Sequence, residues 1–333
     1  MKLSIIIVNY KTASLVEDCI RSIYQYDTSQ FEIIVVDNFS QDNIQNILNA
    51  EFPDVKFIQM GYNSGFARAN NAGIKIAEGD AVLLLNSDTI NLDNAIANCY
   101  AELMKSDYAA CGVQLLNEDR TPQISGNNLM KGGLNFLLPL PYIGIMLKYF
   151  AGMMKVKRPS IAETTSTTEV DWVNGAYLMV KKSVIAKAGL MDEDFFLYSE
   201  ETEWCSRIKK LGRICIFGKY NVVHLQGESS KSAFESTGKG YFNLFDKKGL
   251  QMMVSSFLRT RKELGLVWYF IHLFFYLVTI PVFGAGVFFS KIIFKNKKRY
   301  NYVQFKGFVS NVMALLSLCG KMIRNKPYFY KML

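Results

Sequence analysis

The chain has 333 residues, half of them hydrophobic, and a formal charge of +9. Those figures exclude a disordered chain and a small disulfide-held module, and they leave room for one large domain plus an appendage. The charge is uneven: residues 255–333 hold 13 Lys and Arg against one acid, Glu263, a net of +12 that leaves residues 1–254 at −3. Basic residues that flank long apolar runs point to an anionic membrane surface and away from nucleic acid. The six cysteines show no C-x-x-C pair and no metal spacing, which suits small core residues in a reducing compartment. The first apolar run, 3–8, gives way at once to Asn9-Tyr10-Lys11, so no signal peptide is expected.

In chain order, 3–8 is a β-branched run of strand length. A helix over about 14–26 follows, with Leu15, Cys19, Ile20 and Ile23 on one face. Strands are predicted at 32–37, 55–58 and 81–85, and helices over about 67–77 and 92–105. Continuous apolar strands alternating with helices predict an α/β fold with a mostly parallel sheet covered on both faces. Ligands of such sheets bind beyond the carboxyl ends of the strands.

Those ends are polar. Asn9-Tyr10 follows the first strand, Asp37-Asn38-Phe39-Ser40-Gln41-Asp42 the second, and Asn86-Ser87-Asp88 the fourth, while Gly61 to Arg68 joins the third strand to its helix. Each cluster alone is an ordinary turn composition. Together they predict one composite site, containing fixed acids, a Gly-bearing loop and an Arg. A nucleoside diphosphate fits it: Asp37 can accept from the N3–H of a uracil or thymine ring, and loop amides with Arg68 can face phosphate. Asp88 offers a hard oxygen to a divalent ion. G-x-G-x-x-G after the first strand and G-x-x-x-x-G-K-[ST] are both absent, so dinucleotide and P-loop readings lack their chemistry.

Further on, the aromatic run from Phe195 to Tyr198 opens into Glu200, Glu201 and Glu203. Acids suit the start of a helix through its dipole. Carboxylates at an apolar mouth also suit a general base, because partial desolvation raises basicity.

The ordered motifs resemble the family 2 glycosyltransferases of the GT-A fold. They are 4–10, Val36-Asp37-Asn38-x-Ser40-x-Asp42, Asn63-x-Gly65-Phe66-Ala67 with Asn71 and Gly73, and Leu85-Asn86-Ser87-Asp88. In the later half come Trp172-x-Asn174-Gly175-Ala176, Gly189-Leu190-x-Asp192-Glu193-x-Phe195-Phe196, Glu200-Glu201-Thr202-Glu203 and His224-x-x-Gly227-x-Ser229. The likeness covers roughly 2–245 and is greatest to bacterial rhamnosyltransferase-like members that build surface polysaccharides. It implies a Rossmann-like GT-A catalytic domain over 1–250, with a nucleotide-binding half at 1–115 and an acceptor and catalytic half at 170–245. Residues 251–333 are then a helical, basic and apolar, membrane-associating region.

By that resemblance, Asn9, Asp37, Asn63, Gly65, Arg68, Asn86, Ser87 and Asp88 bind the nucleotide sugar. Glu201 is the base, with Glu200 the alternative. Trp172, Asn174, Gly175, Ala176 and Glu203 line or close the sugar pockets. Asp88 and His224 hold the divalent cation, Mn2+ or Mg2+. The family often has two acids where this chain has Asn86 and Asp88, and more often Asp where it has Glu201. The implied reaction is inverting transfer from a nucleoside diphosphate sugar to a hydroxyl of a lipid-linked oligosaccharide. The donor is dTDP-rhamnose, or else UDP-hexose, UDP-N-acetylhexosamine or UDP-galactofuranose. An inactive, membrane-bound sugar-nucleotide binder is the non-enzyme alternative. The implied location is the cytoplasmic face of the bacterial inner membrane.

Two stretches are read from composition. Residues 134–150 are apolar but broken by Pro139 and Pro141, an acceptor-facing or membrane-touching excursion. Residues 264–290 carry no charge and contain Pro281, Gly284 and Gly286 between basic clusters. A single span would send the second cluster outward, against the positive-inside rule. A broken, re-entrant or interfacial helix is expected, with a second apolar stretch, 308–320, too short to cross alone.

Overall fold

The computed structural model describes residues 2–155, 160–225, 243–293 and 300–326, with backbone alone over 290–293. Its elements begin with β1 (Leu3–Asn9), α1 (Ala13–Tyr24), β2 (Phe31–Asp37), α2 (Ile44–Glu51), β3 (Lys56–Gln59) and α3 (Phe66–Ile76). Next come β4 (Ala81–Asn86), β5 (Thr89–Asn91), α4 (Ala95–Lys105), β6 (Ala110–Leu116), β7 (Gly126–Asn127), a 3-10 segment (Lys131–Leu137) and α5 (Ile143–Met153). Then follow β8 (Ser160–Ile161), β9 (Thr167–Val170), β10 (Trp172–Val173), β11 (Tyr177–Lys181), α6 (Lys182–Ala188), α7 (Glu200–Lys209) and β12 (Ile214–His224). The chain continues through α8 (Lys247–Arg259), a π-helical turn (Thr260–Leu264), α9 (Gly265–Ile293) and α10 (Tyr302–Ile323).

These elements form two units. One spans Met1–Asn128, Ser160–Phe196 and Glu200–Ala233; the other spans Leu129–Pro159, Leu197–Ser199 and Phe234–Leu333. Segment 129–159 thus groups with the C-terminal helices, although it lies inside the 1–250 stretch in sequence.

The first unit is built on a sheet in the order β3-β2-β1-β4-β11-β6-β12-β5, with β9 also paired to β12. The strands β1, β2, β3, β4, β6 and β12 run one way. β5, β9 and β11 oppose them. Alternate strand residues serve two helix layers: Ile5 and Ile7 pack with α1, α2 and α4, whereas Ile6 packs with α3, α6 and α7. That double burial is why the strands read as unbroken apolar runs. The helix expected from residue 92 begins at Ala95, because Asp93 and Asn94 take left-handed backbone at φ 48° and 54°.

This topology brings distant segments to one edge of the sheet. Strands β1, β2, β4 and β12 all end there, at Asn9, Asp37, Asn86 and His224. Because β11 runs the opposite way, the residues that precede it, 172–176, stand at the same edge.

In the second unit, the 3-10 segment turns through Gly132 and Gly133, both left-handed. A Cβ on Gly132 would strike the Trp268 ring, and the Gly132 carbonyl lies 2.9 Å from His272 Nε2. Tyr142 packs against Gly286 in the same way, where a side chain would collide with its ring. Asn311 Nδ2 donates to the carbonyls of Leu244 (3.0 Å) and Asp246 (2.8 Å), tying α10 to the start of α8.

The tail corrects two expectations. Pro281 and the two glycines do not break the helix: α9 runs 29 residues through them. A proline forfeits its ladder hydrogen bond and crowds the carbonyl four residues back, yet the helix continues through it, and Gly286 is where an aromatic ring needs room. The stretch 308–320 is also not short, because a capping box between Asn301 and Gln304 starts α10 upstream and gives it 22 residues. The helical runs Lys247–Phe289 and Tyr302–Ile323 are long and apolar enough to cross a membrane by length and composition.

Candidate active site

The strand-end loops of the α/β unit are tied into one polar network. Asn9 Nδ2 stands within hydrogen-bond reach of Asp37 Oδ1 (2.9 Å), Ser40 Oγ (2.9 Å) and both Asp42 oxygens (3.1 Å). Asp37 Oδ2 accepts from Gln59 Nε2 (2.7 Å) and Ser40 N (3.2 Å). These donors hold Asp37 buried and leave it room for about one more hydrogen bond, since an ionised carboxylate offers about four lone-pair sites. Thr12 Oγ1 lies 3.0 Å from Asn9 Oδ1 and 3.1 Å from Ser87 Oγ, which carries the network to the fourth strand.

The Gly-bearing loop is fixed from two sides. Ser64 donates from N (2.8 Å) and Oγ (2.7 Å) to Asn38 Oδ1, and Asn38 Nδ2 donates to Asn63 Oδ1 (2.9 Å). Gly65 sits at φ +81°, where a Cβ would come 2.5 Å from the Phe196 carbonyl oxygen. That same oxygen accepts from Phe66 N at 2.7 Å. Only glycine allows both the backbone angle and the approach. Asn71 adds a second clamp, exchanging hydrogen bonds with the Met191 backbone (2.9 and 3.0 Å). Arg68 is half-buried, donates to the Ser64 carbonyl (3.2 Å) and lies 4.0 Å from Glu193.

Asp88 and His224 meet because β12 pairs with β5, His224 opposite Thr89. His224 Nε2 is 3.4 Å from Asp88 Oδ1 and 3.5 Å from Asn86 Nδ2. Neither Asp88 carboxylate oxygen has a hydrogen-bond partner among the described residues, and both are buried. Gln123, which sequence reasoning missed, decides the imidazole tautomer. Its Nε2 donates to the His224 carbonyl (2.6 Å), so its Oε1 faces Nδ1 at 3.0 Å. An amide oxygen only accepts, so Nδ1 carries the proton, and in the neutral imidazole Nε2 is the acceptor left facing Asp88. Two acceptors facing one another in a buried place fit a divalent cation. Among the described residues no three His, Cys, Asp or Glu side chains gather in a way that could hold a metal ion. Gly227 and Ser229 lie outside the described residues.

The acidic segment opens α7. Glu200 is buried, with Oε2 unpartnered among the described residues. Burial, and next the charge of Glu201, push its carboxyl well above the usual range. Glu201 is half-buried, with Gly175 against it: a Cβ there would lie 3.4 Å from Glu201 Cγ. Glu203 is committed to Arg207, which donates to both its oxygens at 2.7 Å. Trp204, fully buried, donates from Nε1 to the Gly189 carbonyl (2.9 Å) and anchors the helix. The 172–176 segment joins the two acidic clusters. Ala176 O accepts from Asn86 N (3.0 Å), Asn174 Oδ1 accepts from Ala176 N (2.9 Å), and Gly175 abuts Glu201. Trp172 is half-buried, its indole Nε1 unpartnered among the described residues.

Residues 4–161 match the model of the glycosyl transferase family 2 domain. Over those residues the chain is similar to the family 2 glycosyltransferases. It is 29% identical over 212 residues to the low-salt glycan biosynthesis hexosyltransferase Agl10 of Haloferax volcanii, covering 62% of each chain. It is 23% identical over 217 residues to the rhamnosyltransferase WbbL of Escherichia coli K12, covering 62% of this chain and 78% of that one. The chain spans less than two thirds of the length of the first curated relatives it matches, 62%, 36% and 45%. In fold it is similar to the mannosyltransferase PcManGT of Pyrobaculum calidifontis, solved in complex with GDP-Man and Mn2+. That likeness has a TM-score of 0.54 at 15% identity and covers 98% of this chain and 88% of the other. The likeness gives the α/β unit the GT-A fold, and its strand-end edge is the candidate active site.

Proposed function

We propose that this chain is an inverting, metal-dependent glycosyltransferase. It moves a sugar, with dTDP-rhamnose as the first candidate donor, to a hydroxyl of a lipid-linked saccharide in surface-polysaccharide synthesis. UDP-hexose, UDP-N-acetylhexosamine and UDP-galactofuranose are the competing donors. The observation that carries the reading is the pair of facing acceptors, Asp88 and His224, at the edge that also holds Asp37, the Gly65 loop and Glu201. Similarity to a rhamnosyltransferase and a hexosyltransferase supports it.

Each residue has a role that its surroundings suit. Asp37, oriented by Asn9, Ser40 and Gln59, accepts from the pyrimidine N3–H. Asn63, Gly65 and Arg68 face the diphosphate, with Ser87 and Asn86 beside them. Asp88 and His224 would hold Mn2+ or Mg2+, which when bound would neutralise charge on the leaving diphosphate. Glu201 takes the acceptor hydroxyl proton. Glu200 is the alternative base, its carboxyl raised by burial and next by the charge of Glu201. Trp172, Asn174, Gly175 and Ala176 border the sugar, and Glu203 braces the helix through Arg207. The α/β unit thus carries the chemistry. The helical unit attaches the enzyme to the cytoplasmic face of the membrane, where lipid-linked acceptors are found.

The test is transfer from a panel of nucleotide sugars to a lipid-linked acceptor analogue, with Mn2+ and with EDTA. One donor should dominate, with activity lost in EDTA and in Glu201→Gln. A chain that neither binds nor turns over any nucleotide sugar in Mn2+ overturns the reading.

A further inference from the structure

Helix α5 and its flanks carry the next inference. The segment sits between strands of the α/β unit in sequence but belongs to the helical unit. Gly132 against Trp268, the 2.9 Å contact from His272 to Gly132, and Tyr142 against Gly286 join it to α9 at two heights.

One side of α5 is packed, at Ile143, Gly144, Leu147 and Ala151, and the other is bare. The bare side is apolar: Ile145, Met146, Tyr149 (67% exposed), Phe150, Met153 and Met154 (76%) recur every third or fourth residue. Exposed large apolar side chains clustered in this way mark an interaction surface. Lys148 and Lys155, two turns apart and both exposed, stand at one margin of the stripe. Residues 129–159 hold five Lys and Arg and no acid. Helix α9 shows a similar uncovered stripe along Leu266, Val267, Phe270, Phe274 and Leu277.

We infer that α5 is a second membrane contact, an in-plane helix that lays this stripe into the headgroup and acyl boundary of an anionic bilayer. It rests on the reading of the C-terminal helices as the membrane attachment. Eleven residues reach roughly 16 Å at 1.5 Å each, about half the hydrocarbon core, so α5 lies along the surface and does not cross it. The lysines at the margin reach back to anionic headgroups along their aliphatic stems. A lipid surface suits the stripe because α9, to which the segment is clamped, is itself long and apolar enough to enter a bilayer. The absence of acids suits anionic lipid.

The test uses the full chain on phosphatidylglycerol–phosphatidylcholine vesicles. Tyr149→Trp and Phe150→Trp each add a reporter at an exposed position. Brominated lipid should quench it beyond the quenching of the parent's own three tryptophans. The double variant Tyr149→Glu/Met153→Glu should bind these vesicles about tenfold or more weakly, from the loss of two buried apolar side chains, while turnover of a soluble acceptor analogue is unchanged. If the parent binds and neither reporter is quenched, the α5 inference fails and the attachment reading survives. If the parent ignores the vesicles, both fail. If the double variant binds normally but a dimer in solution falls to a monomer, the stripe is a self-association face and the lipid assignment is overturned.

Discussion

Gln123 holds His224 at two points, donating to its carbonyl at 2.6 Å and facing its Nδ1 at 3.0 Å. The side chain thereby sets which imidazole nitrogen is free to meet Asp88. Outer partners of this kind are worth about 10- to 100-fold in metal affinity. Gln123→Ala should weaken Mn2+ binding by about that factor, read by titration with the free ion. Gln123→Glu, which keeps an acceptor toward Nδ1, should weaken it less. Equal affinity in parent and Gln123→Ala would mean that His224 Nε2 is not a ligand.

Asp88 leads to a stability test. Its buried, unpartnered oxygens cost free energy until a cation meets them. Mn2+ at about 100 times its Kd should therefore stabilise the parent by about 2.7 kcal/mol, seen as a rise in Tm. Asp88→Asn should lose most of that rise and melt no lower than the parent in EDTA. A full Mn2+ response in the variant would place the ion elsewhere.

The acidic pair can be separated by kinetics. Glu201→Gln should lower kcat by about 10²- to 10⁴-fold with donor affinity retained. Glu200→Gln should cost far less, because burial raises that carboxyl and disfavours its anion. The opposite order of effects would make Glu200 the base.

Glu200 also predicts a pH dependence. Its folded-state carboxyl titrates well above the ordinary value through burial and the Glu201 charge. Above about pH 4.3, where an unfolded Glu ionises, the unfolded chain gives up this proton while the folded chain keeps it. The folded state then binds more protons, so stability falls as pH rises through that window. Glu200→Gln removes the group: its Tm should exceed the parent's at neutral pH, and the difference should close toward pH 4. A difference that does not vary with pH would mean that Glu200 is not held protonated.

Gly65→Ala tests the donor loop. The left-handed backbone costs about 1–3 kcal/mol for a residue with a side chain, and the new Cβ displaces the Phe196 carbonyl. Donor KM should rise while Mn2+ affinity in the absence of nucleotide stays put. Unchanged donor KM would detach this loop from the site.

Most of the sheet was legible because both faces are buried, which leaves unbroken apolar runs at strand length. The polar strand ends were legible for the matching reason: nothing packs there, so composition changes abruptly. Gln123 gave no signal, since it lies in an unremarkable stretch and acts only through a residue 101 positions away. The continuity of α9 through Pro281 was misread because proline and glycine count as breakers unless a neighbouring ring requires the space, as Tyr142 does at Gly286.

By itself the sequence determined the alternation of strands and helices, the acids at their ends and the basic, apolar tail, since periodicity and charge are local properties. Tertiary structure decided which of those residues meet. Antiparallel β5–β12 pairing brings His224 to Asp88, the reversed β11 brings Gly175 to Glu201, and segment 129–159 groups with the tail. Such contacts depend on strand order and direction, which no local pattern of residues encodes.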